Sequence, residues 1–216
     1  GGYLPLSPAS SMRFYVNLYA IIALNAWIAS IMYHSQKTDL SSLYDYVSAL
    51  LLLLCGCAVV IVRILSFSVS LVSPNLLRVL SIALTFLVWI VQAYRLANGH
   101  VNHTQHMQVC IALLALSFTL YVLYSLLLLR KAKSNRAYTV IGWCFLTQIW
   151  LGGAGLLEVF DFPPLQYPLP LTLDPHALWH LLTIPLGLVW YKFWKEDAIL
   201  EKECSGAGDA GSAKTD

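Results

Sequence analysis

Charged side chains are scarce in this chain. Lys, Arg, Asp and Glu make up 11% of the 216 residues, whereas hydrophobic residues make up 58%. A soluble domain carries roughly 25% charged residues, because its surface must face water. The composition therefore excludes a soluble globular domain. A formal net charge of +2 provides no strongly basic surface, so we expect no nucleic-acid partner.

A cysteine pairing pattern and an alternating strand pattern are also lacking. Four of the five cysteines lie inside apolar stretches, which does not indicate a disulfide framework. The Cys55-x-Cys57 pair is too closely spaced for a zinc knuckle, and we interpret it as membrane packing. Runs such as Leu50–Leu54 do not alternate apolar and polar residues, which excludes the strands of an outer-membrane barrel.

Long charge-free runs are present instead. Each approaches or exceeds the ~17–25 residues that a helix needs to cross the hydrocarbon core. Helices satisfy their own backbone hydrogen bonds in lipid. The pattern predicts an all-α fold, a multi-pass transmembrane helical bundle with six spans in this chain. The predicted spans are Phe14–Tyr33, Tyr46–Val62, Val79–Tyr94, Met107–Leu129, Ala137–Leu157 and Pro175–Tyr191.

The segments outside the spans are short. We expect a non-membrane lead-in over residues 1–12, a transmembrane domain over 13–197, and a disordered cytosolic tail over 198–216, where Gly and Ser accumulate. Ile64–Leu77 contains four serines and a proline, and is predicted to be an interfacial turn. Because the chain begins without methionine, we expect it to be a fragment of a longer protein.

The basic residues predict an orientation. An even number of spans places both termini on one side of the membrane, and ten Lys and Arg residues near the membrane fall on that side. Only Lys37 and Arg95 fall on the other side. The excess of basic residues marks the cytosolic side, so the C-terminus is predicted to be cytosolic.

Five polar residues stand at the edges of the predicted spans, where polar groups are costly and often functional. Ser30 and His34 end the first span, Asp45 opens the second, and His176 and His180 open the sixth. All five fall at the non-cytosolic end. Three imidazoles plus water form the open coordination of catalytic zinc. In that setting the carboxylate can accept a proton and the hydroxyl can orient water or an oxyanion.

Each of these residues also has a simpler interpretation. A single histidine at a span end is commonly an interfacial hydrogen-bonding group. A carboxylate such as Asp45 at a helix start can favour the N-terminal dipole, and Ser30 can hydrogen-bond to its own helix. The convergence of all five favours the hydrolytic interpretation.

A second histidine cluster follows the third span. His100, His103 and His106 lie in a predicted non-cytosolic loop without an acidic residue beside them, so we interpret them as a solvated loop. Asn102-His103-Thr104 is also a glycosylation sequon close to the membrane.

Two stretches resemble a known family. The segment Tyr33–Leu40 leading to Asp45, and the segment Leu157–Leu165 leading to Asp174–Pro185, resemble the post-GPI-attachment-to-proteins factor 3 family. The resemblance runs from about Asn25 to Trp194. More distantly, the chain is similar to alkaline ceramidases and adiponectin-type receptors, which share the Ser, Asp and three-His pattern.

The resemblance implies a zinc-dependent membrane hydrolase that removes the sn-2 acyl chain of glycosylphosphatidylinositol (GPI) anchors. It implies Zn²⁺ ligands at His34, His176 and His180, and catalytic roles for Ser30 and Asp45. The implied substrate is a membrane lipid carried by GPI-anchored proteins. The implied location is the endoplasmic reticulum or Golgi membrane, with the site facing the lumen.

The chain also departs from that family. The full-length family has seven spans, and this chain lacks the first span and the cysteine-rich lumenal region. Extra residues separate Pro164 from Asp174, and Pro175 stands where a small residue is usual. Asp174 is a candidate partner that orients His176 or His180, or alternatively a helix N-cap.

Two other functions are also consistent with the sequence. A ceramidase-like intramembrane amidase would use the same side chains on a sphingolipid. An adiponectin-type receptor would be non-enzymatic in its main role, with its binding domain on the opposite face. The sequence indicates no oligomeric state.

Overall fold

The computed structural model describes residues 10–68, 73–99, 102–131, 134–159 and 175–212. Within those ranges every regular element is helical and no strand is present, which confirms the predicted all-α fold. The helices are α1 Ser10–Ser35, α2 Asp39–Ser68, α3 Pro74–Ala97, α4 His103–Lys131, α5 Asn135–Val159 and α6 Pro175–Ser212.

Five of the described helices are long and apolar enough to cross a membrane. The chain is thus a multi-pass helical membrane protein. The α3 span supports this most directly, because none of its apolar window is buried by other parts of the protein. The sixth predicted span begins α6, where histidines and Pro185 lower the hydropathy, and it stays a prediction. The five segments are Phe14–Ser35, Asp39–Ser66, Leu76–Ala97, Thr104–Arg130 and Asn135–Leu157.

Side-chain caps determine where four helices begin. Thr38 Oγ1 accepts the Ser41 N–H at 3.1 Å, and Ser41 Oγ accepts the Thr38 N–H at 2.9 Å, so α2 begins with a reciprocal capping box. Such bonds satisfy backbone donors that have no partner inside the helix. The equivalent capping residues of α3, α4 and α5 are Ser73, Asn102 and Ser134.

The chain divides into two compact units, residues 1–127 with 205–216, and residues 128–204. In the first unit α2 packs along α1 and α3 and buries an apolar core that includes Leu50, Val59 and Val60. A hydrogen bond between hydroxyl groups also joins two of these helices. Tyr15 of α1 is hydrogen-bonded to Ser81 of α3 at 3.0 Å. These contacts hold α1, α2 and α3 together in the first unit.

The second unit contains α5 and most of α6. Arg136 near the start of α5 binds two carboxylates of α6, Glu196 at 2.6 Å and Glu203 at 2.7 Å. Farther along α5, Trp150 Nε1 donates to the Leu182 carbonyl at 2.8 Å. That carbonyl lies in the turn before Pro185, a residue that supplies no backbone N–H to the helix. The two contacts tie α5 to α6 at separate points.

Three boundaries differ from the sequence predictions. Helix α2 begins at Asp39 because Thr38 caps it there. The segment 64–77 is not one interfacial turn, because α2 continues through Ser68 and α3 begins at Pro74. Disorder was predicted from residue 198, whereas α6 continues through Ser212. Residues 198–203 are Ala-Ile-Leu-Glu-Lys-Glu, mostly strong helix formers, which explains why the helix continues past Ile199.

Candidate active site

Ser30 and His34 lie on one face of the last turns of α1, because residues four apart share a helix face. The Ser30 side chain is buried, whereas His34 is exposed. The His34 ring makes an edge contact with Tyr33, with ring centroids 5.2 Å apart. Because the His34 side chain is exposed, its imidazole is accessible to a ligand.

Asp45 lies inside α2, more than one turn after the helix begins. The expectation that it opens the second span was therefore wrong, because Thr38 starts the helix earlier and the first-turn carboxylate is Asp39. Asp39 is exposed, whereas Asp45 is only 9% exposed. The helix dipole acts on charges within the first turn. Dipole stabilisation thus accounts for Asp39 and does not account for a buried carboxylate at Asp45.

His176 and His180 belong to the first turns of α6, which begins at Pro175. Their spacing places both on one face of the helix. The His180 side chain is half-buried, and its backbone carbonyl accepts the Thr183 hydroxyl at 2.9 Å. The side chain of His176 lies outside the described residues, as does the whole of Asp174.

The predicted site residues come from both units. Ser30, His34 and Asp45 belong to the first unit, and the two α6 histidines belong to the second. Across the part of the chain that the structure describes, no three His, Cys, Asp or Glu side chains form a group able to hold a metal ion. Because the His176 side chain is outside that part, the zinc site stays a prediction.

His106 was expected in a solvated loop, and this expectation was wrong. It belongs to α4 and is 5% exposed, stacked on Tyr46 of α2 with ring centroids 5.1 Å apart. Its Nε2 lies 3.5 Å from Cys110 Sγ, one turn further along α4. The spacing His106-x-x-x-Cys110 could have revealed this inward face. His100 and the side chain of His103 lie outside the described residues.

The sequon residue Asn102 serves as the N-cap of α4. Its Oδ1 accepts the Gln105 N–H at 2.9 Å, and Gln105 Oε1 accepts the Asn102 N–H at 3.0 Å. Sequence reasoning identified Asn102 as a sequon and missed this capping role, although the Asn-x-x-Gln spacing carries the signal.

The burial of the cysteines agrees with their interpretation as packing residues. Cys55, Cys57, Cys110 and Cys144 are buried, and these four are not disulfide-bonded. The Cys57 thiol lies 3.6 Å from the Leu113 carbonyl of α4, so this side chain joins two helices of the first unit.

The helices and their polar residues define a multi-pass membrane protein with a Ser-x-x-x-His helix end, a buried aspartate on the following helix, and a His-x-x-x-His helix start. The chain belongs to the Per1-like family, whose model matches residues 5–198. That match includes α1 to α5 in full and α6 through residue 198.

Curated relatives support the same assignment. The chain is 28% identical over 201 residues to the mouse protein named GPI-specific phospholipase A2-like PGAP3, an alignment that covers 93% of the chain and 58% of the relative. It is 28% identical over 193 residues to the protein of the same name from Cricetulus griseus, covering 89% and 56%. It is 28% identical over 188 residues to post-GPI attachment to proteins factor 3 from Drosophila melanogaster, covering 86% and 52%.

The chain spans a little over half the length of these relatives. No solved structure is significantly similar to it.

Proposed function

We propose that this protein is a zinc-dependent membrane hydrolase that removes the sn-2 acyl chain of GPI anchors. The observation that carries the proposal is the buried Asp45 on the helix that packs against the Ser30-bearing α1. Family membership and the names of the relatives support the choice of substrate. A buried carboxylate in a membrane span is costly and is retained mainly where it functions.

The proposed donor set fits catalytic zinc chemically. His34, His176 and His180 would supply three imidazole ligands, which leaves a coordination position open. When bound, zinc polarises an ester carbonyl and makes water a stronger acid. Asp174, immediately before α6, is the proposed partner that orients one of the α6 imidazoles.

Asp45 is the proposed general base. It accepts the proton of the attacking water and returns it to the leaving alkoxide as the ester C–O bond breaks, so the products are a fatty acid and a lysolipid. Burial favours this role because a carboxylate shielded from bulk water interacts more strongly with a nearby proton donor.

Ser30 is the proposed oxyanion donor. Its buried hydroxyl can donate a hydrogen bond to the carbonyl oxygen as negative charge develops there. Removing one such donor typically lowers kcat about 10²–10³-fold. The ester of a membrane lipid would reach these side chains from the bilayer in which the helices lie.

The proposed location is the lumenal face of the endoplasmic reticulum or Golgi membrane. The excess of basic residues on one side supports this orientation, because it predicts a cytosolic C-terminus and a site on the opposite side. On that face the site meets the lipid part of GPI-anchored proteins, the proposed substrates.

Complementation tests the function. The chain is expressed in cells that cannot remodel the sn-2 chain, and the lipid part of their GPI-anchored proteins is analysed by mass spectrometry. We expect the loss of the original sn-2 chain, with no activity from His180→Ala. Unchanged GPI lipids at normal expression would contradict the proposal, and hydrolysis of ceramide instead would identify an amidase.

A further inference from the structure

The side chain of Asn25 joins α1, which carries Ser30, to α2, which carries Asp45. Asn25 Oδ1 accepts the Tyr44 hydroxyl at 2.6 Å, and Asn25 Nδ2 donates to Ser48 Oγ at 3.1 Å. Both atoms of the amide are thus used, one as an acceptor and one as a donor. The amide therefore binds two hydroxyls of α2 at once, and it can do so in either orientation, because each hydroxyl can donate or accept a hydrogen bond.

The partners of Asn25 bracket Asp45. Tyr44 and Ser48 are four residues apart and share a face of α2, and Asp45 lies between them in sequence on the adjoining face. Ser48 is 2% exposed, so its hydrogen bond is shielded from water. On α1, Asn25 precedes Ser30 by about one and a half turns.

A third helix restrains the same turn of α2. Trp89 Nε1 of α3 donates to the Val47 carbonyl at 2.7 Å. The turn that carries Asp45 is therefore bound from α1 through Asn25 and from α3 through Trp89.

Apolar side chains would hold two membrane helices together without any buried amide. A polar pair inside a helix bundle instead specifies one relative position of the helices, because any shift leaves a polar group without its partner. A single relative position of α1 and α2 is what a general base and an oxyanion donor on these two helices require, because their distance must stay constant. Near-attack geometry is sensitive on the scale of 1 Å, where misplacement can cost about 10²-fold in rate.

We propose that Asn25 is a positioning residue that fixes Asp45 relative to Ser30 through Tyr44 and Ser48. The proposal rests on the function proposed above for Asp45 and Ser30. It assigns to Asn25 no contact with the substrate.

A matched pair of variants tests this role. Tyr44→Phe removes the hydroxyl that binds Asn25. Tyr15→Phe removes a hydroxyl from another interhelical hydrogen bond of the same unit, the one to Ser81 at 3.0 Å, which lies away from Asp45. If these hydrogen bonds only hold the helices together, the two variants should lower activity to a similar extent. Positioning predicts that Tyr44→Phe and Asn25→Leu lower GPI remodelling about tenfold to a hundredfold at equal expression, whereas Tyr15→Phe leaves it unchanged.

A second measurement does not depend on activity. In the chain carrying Asp45→Cys, the rate of maleimide labelling at position 45 is followed by peptide mass spectrometry in purified, detergent-solubilised protein. We expect Asn25→Leu or Tyr44→Phe to raise the labelling rate about threefold, the scale of one interhelical hydrogen bond in a membrane protein. Tyr15→Phe should leave the rate unchanged. Ser48→Ala, a smaller change, provides the same comparison if Asn25→Leu does not fold.

The two measurements separate the two proposals. If the unmodified chain does not remodel GPI lipids but labelling changes as expected, the proposed function fails, whereas the restraint of Asn25 on the position of Asp45 stands. Equal labelling changes in the Tyr44 and Tyr15 variants, or no change in either, would overturn the positioning role.

Discussion

Replacing Asp45 by Asn removes a proton acceptor and keeps the size of the side chain. Asp39→Asn is the matched control, because it makes the same change on the same helix at the exposed first turn. If Asp45 is the general base, its replacement stops proton transfer from the attacking water. If it only favours the helix dipole, the two variants should behave alike.

The expected magnitudes differ enough to separate these interpretations. Loss of a general base typically lowers the rate about 10²–10⁴-fold, which corresponds to roughly 3–5 kcal/mol in the activation free energy. A first-turn carboxylate contributes only about 0.3–1 kcal/mol to helix stability. At 9% exposure and beyond the first turn, Asp45 is outside the range of that dipole contribution. We therefore expect Asp39→Asn to retain nearly full turnover.

The assay measures GPI acyl-chain remodelling in deficient cells, with expression level and bound zinc determined in parallel. Asp45→Asn should retain zinc, because the proposed ligands are the three histidines, and should lose remodelling. Wild-type remodelling by Asp45→Asn at equal expression would refute the assignment of the base. Equal losses in Asp45→Asn and Asp39→Asn would attribute the effect to helix stability.

Three further predictions concern the metal, the topology and the helix start. His180→Ala should lower the zinc content measured by elemental analysis, whereas Thr183→Ala, one turn further along α6, should not; normal zinc in the histidine variant would contradict its assignment as a ligand. A cysteine at position 133 should be labelled only from the cytosolic side of sealed vesicles and one at position 99 only from the lumenal side, and the reverse result would invert the orientation. Thr38→Ala should reduce stability in thermal unfolding by about 1 kcal/mol through loss of the α2 cap, whereas Thr119→Ala on an exposed helix face should have little effect, and equal values would argue against the cap.

The apolar runs predicted the helices well. Backbone groups in lipid must be hydrogen-bonded within the segment, so a long uncharged run permits almost no structure other than a helix. Five of the six predicted spans coincide with helices that are long and apolar enough to cross. The helix starts were predicted less well, because they depend on capping side chains such as Thr38, which the hydropathy pattern does not register.

The candidate residues were also visible in the sequence. The spacing of Ser30 and His34, and that of His176 and His180, assigns each pair to one helix face through the helical period alone. Asp45 was identified by type and by its place near a span, although its position relative to the helix start was wrong.

What the sequence by itself determined is the class of protein, the number and type of its apolar segments, and the residue types that suggest hydrolysis. These properties follow from local composition and periodicity. Only the tertiary structure decided that Asp45 is buried, that His106 packs on Tyr46, and that Asn25 joins α1 to α2. The reason is physical: burial and interhelical hydrogen bonds depend on which helices meet and at what height, and a helical period specifies a face of one helix without specifying its neighbour.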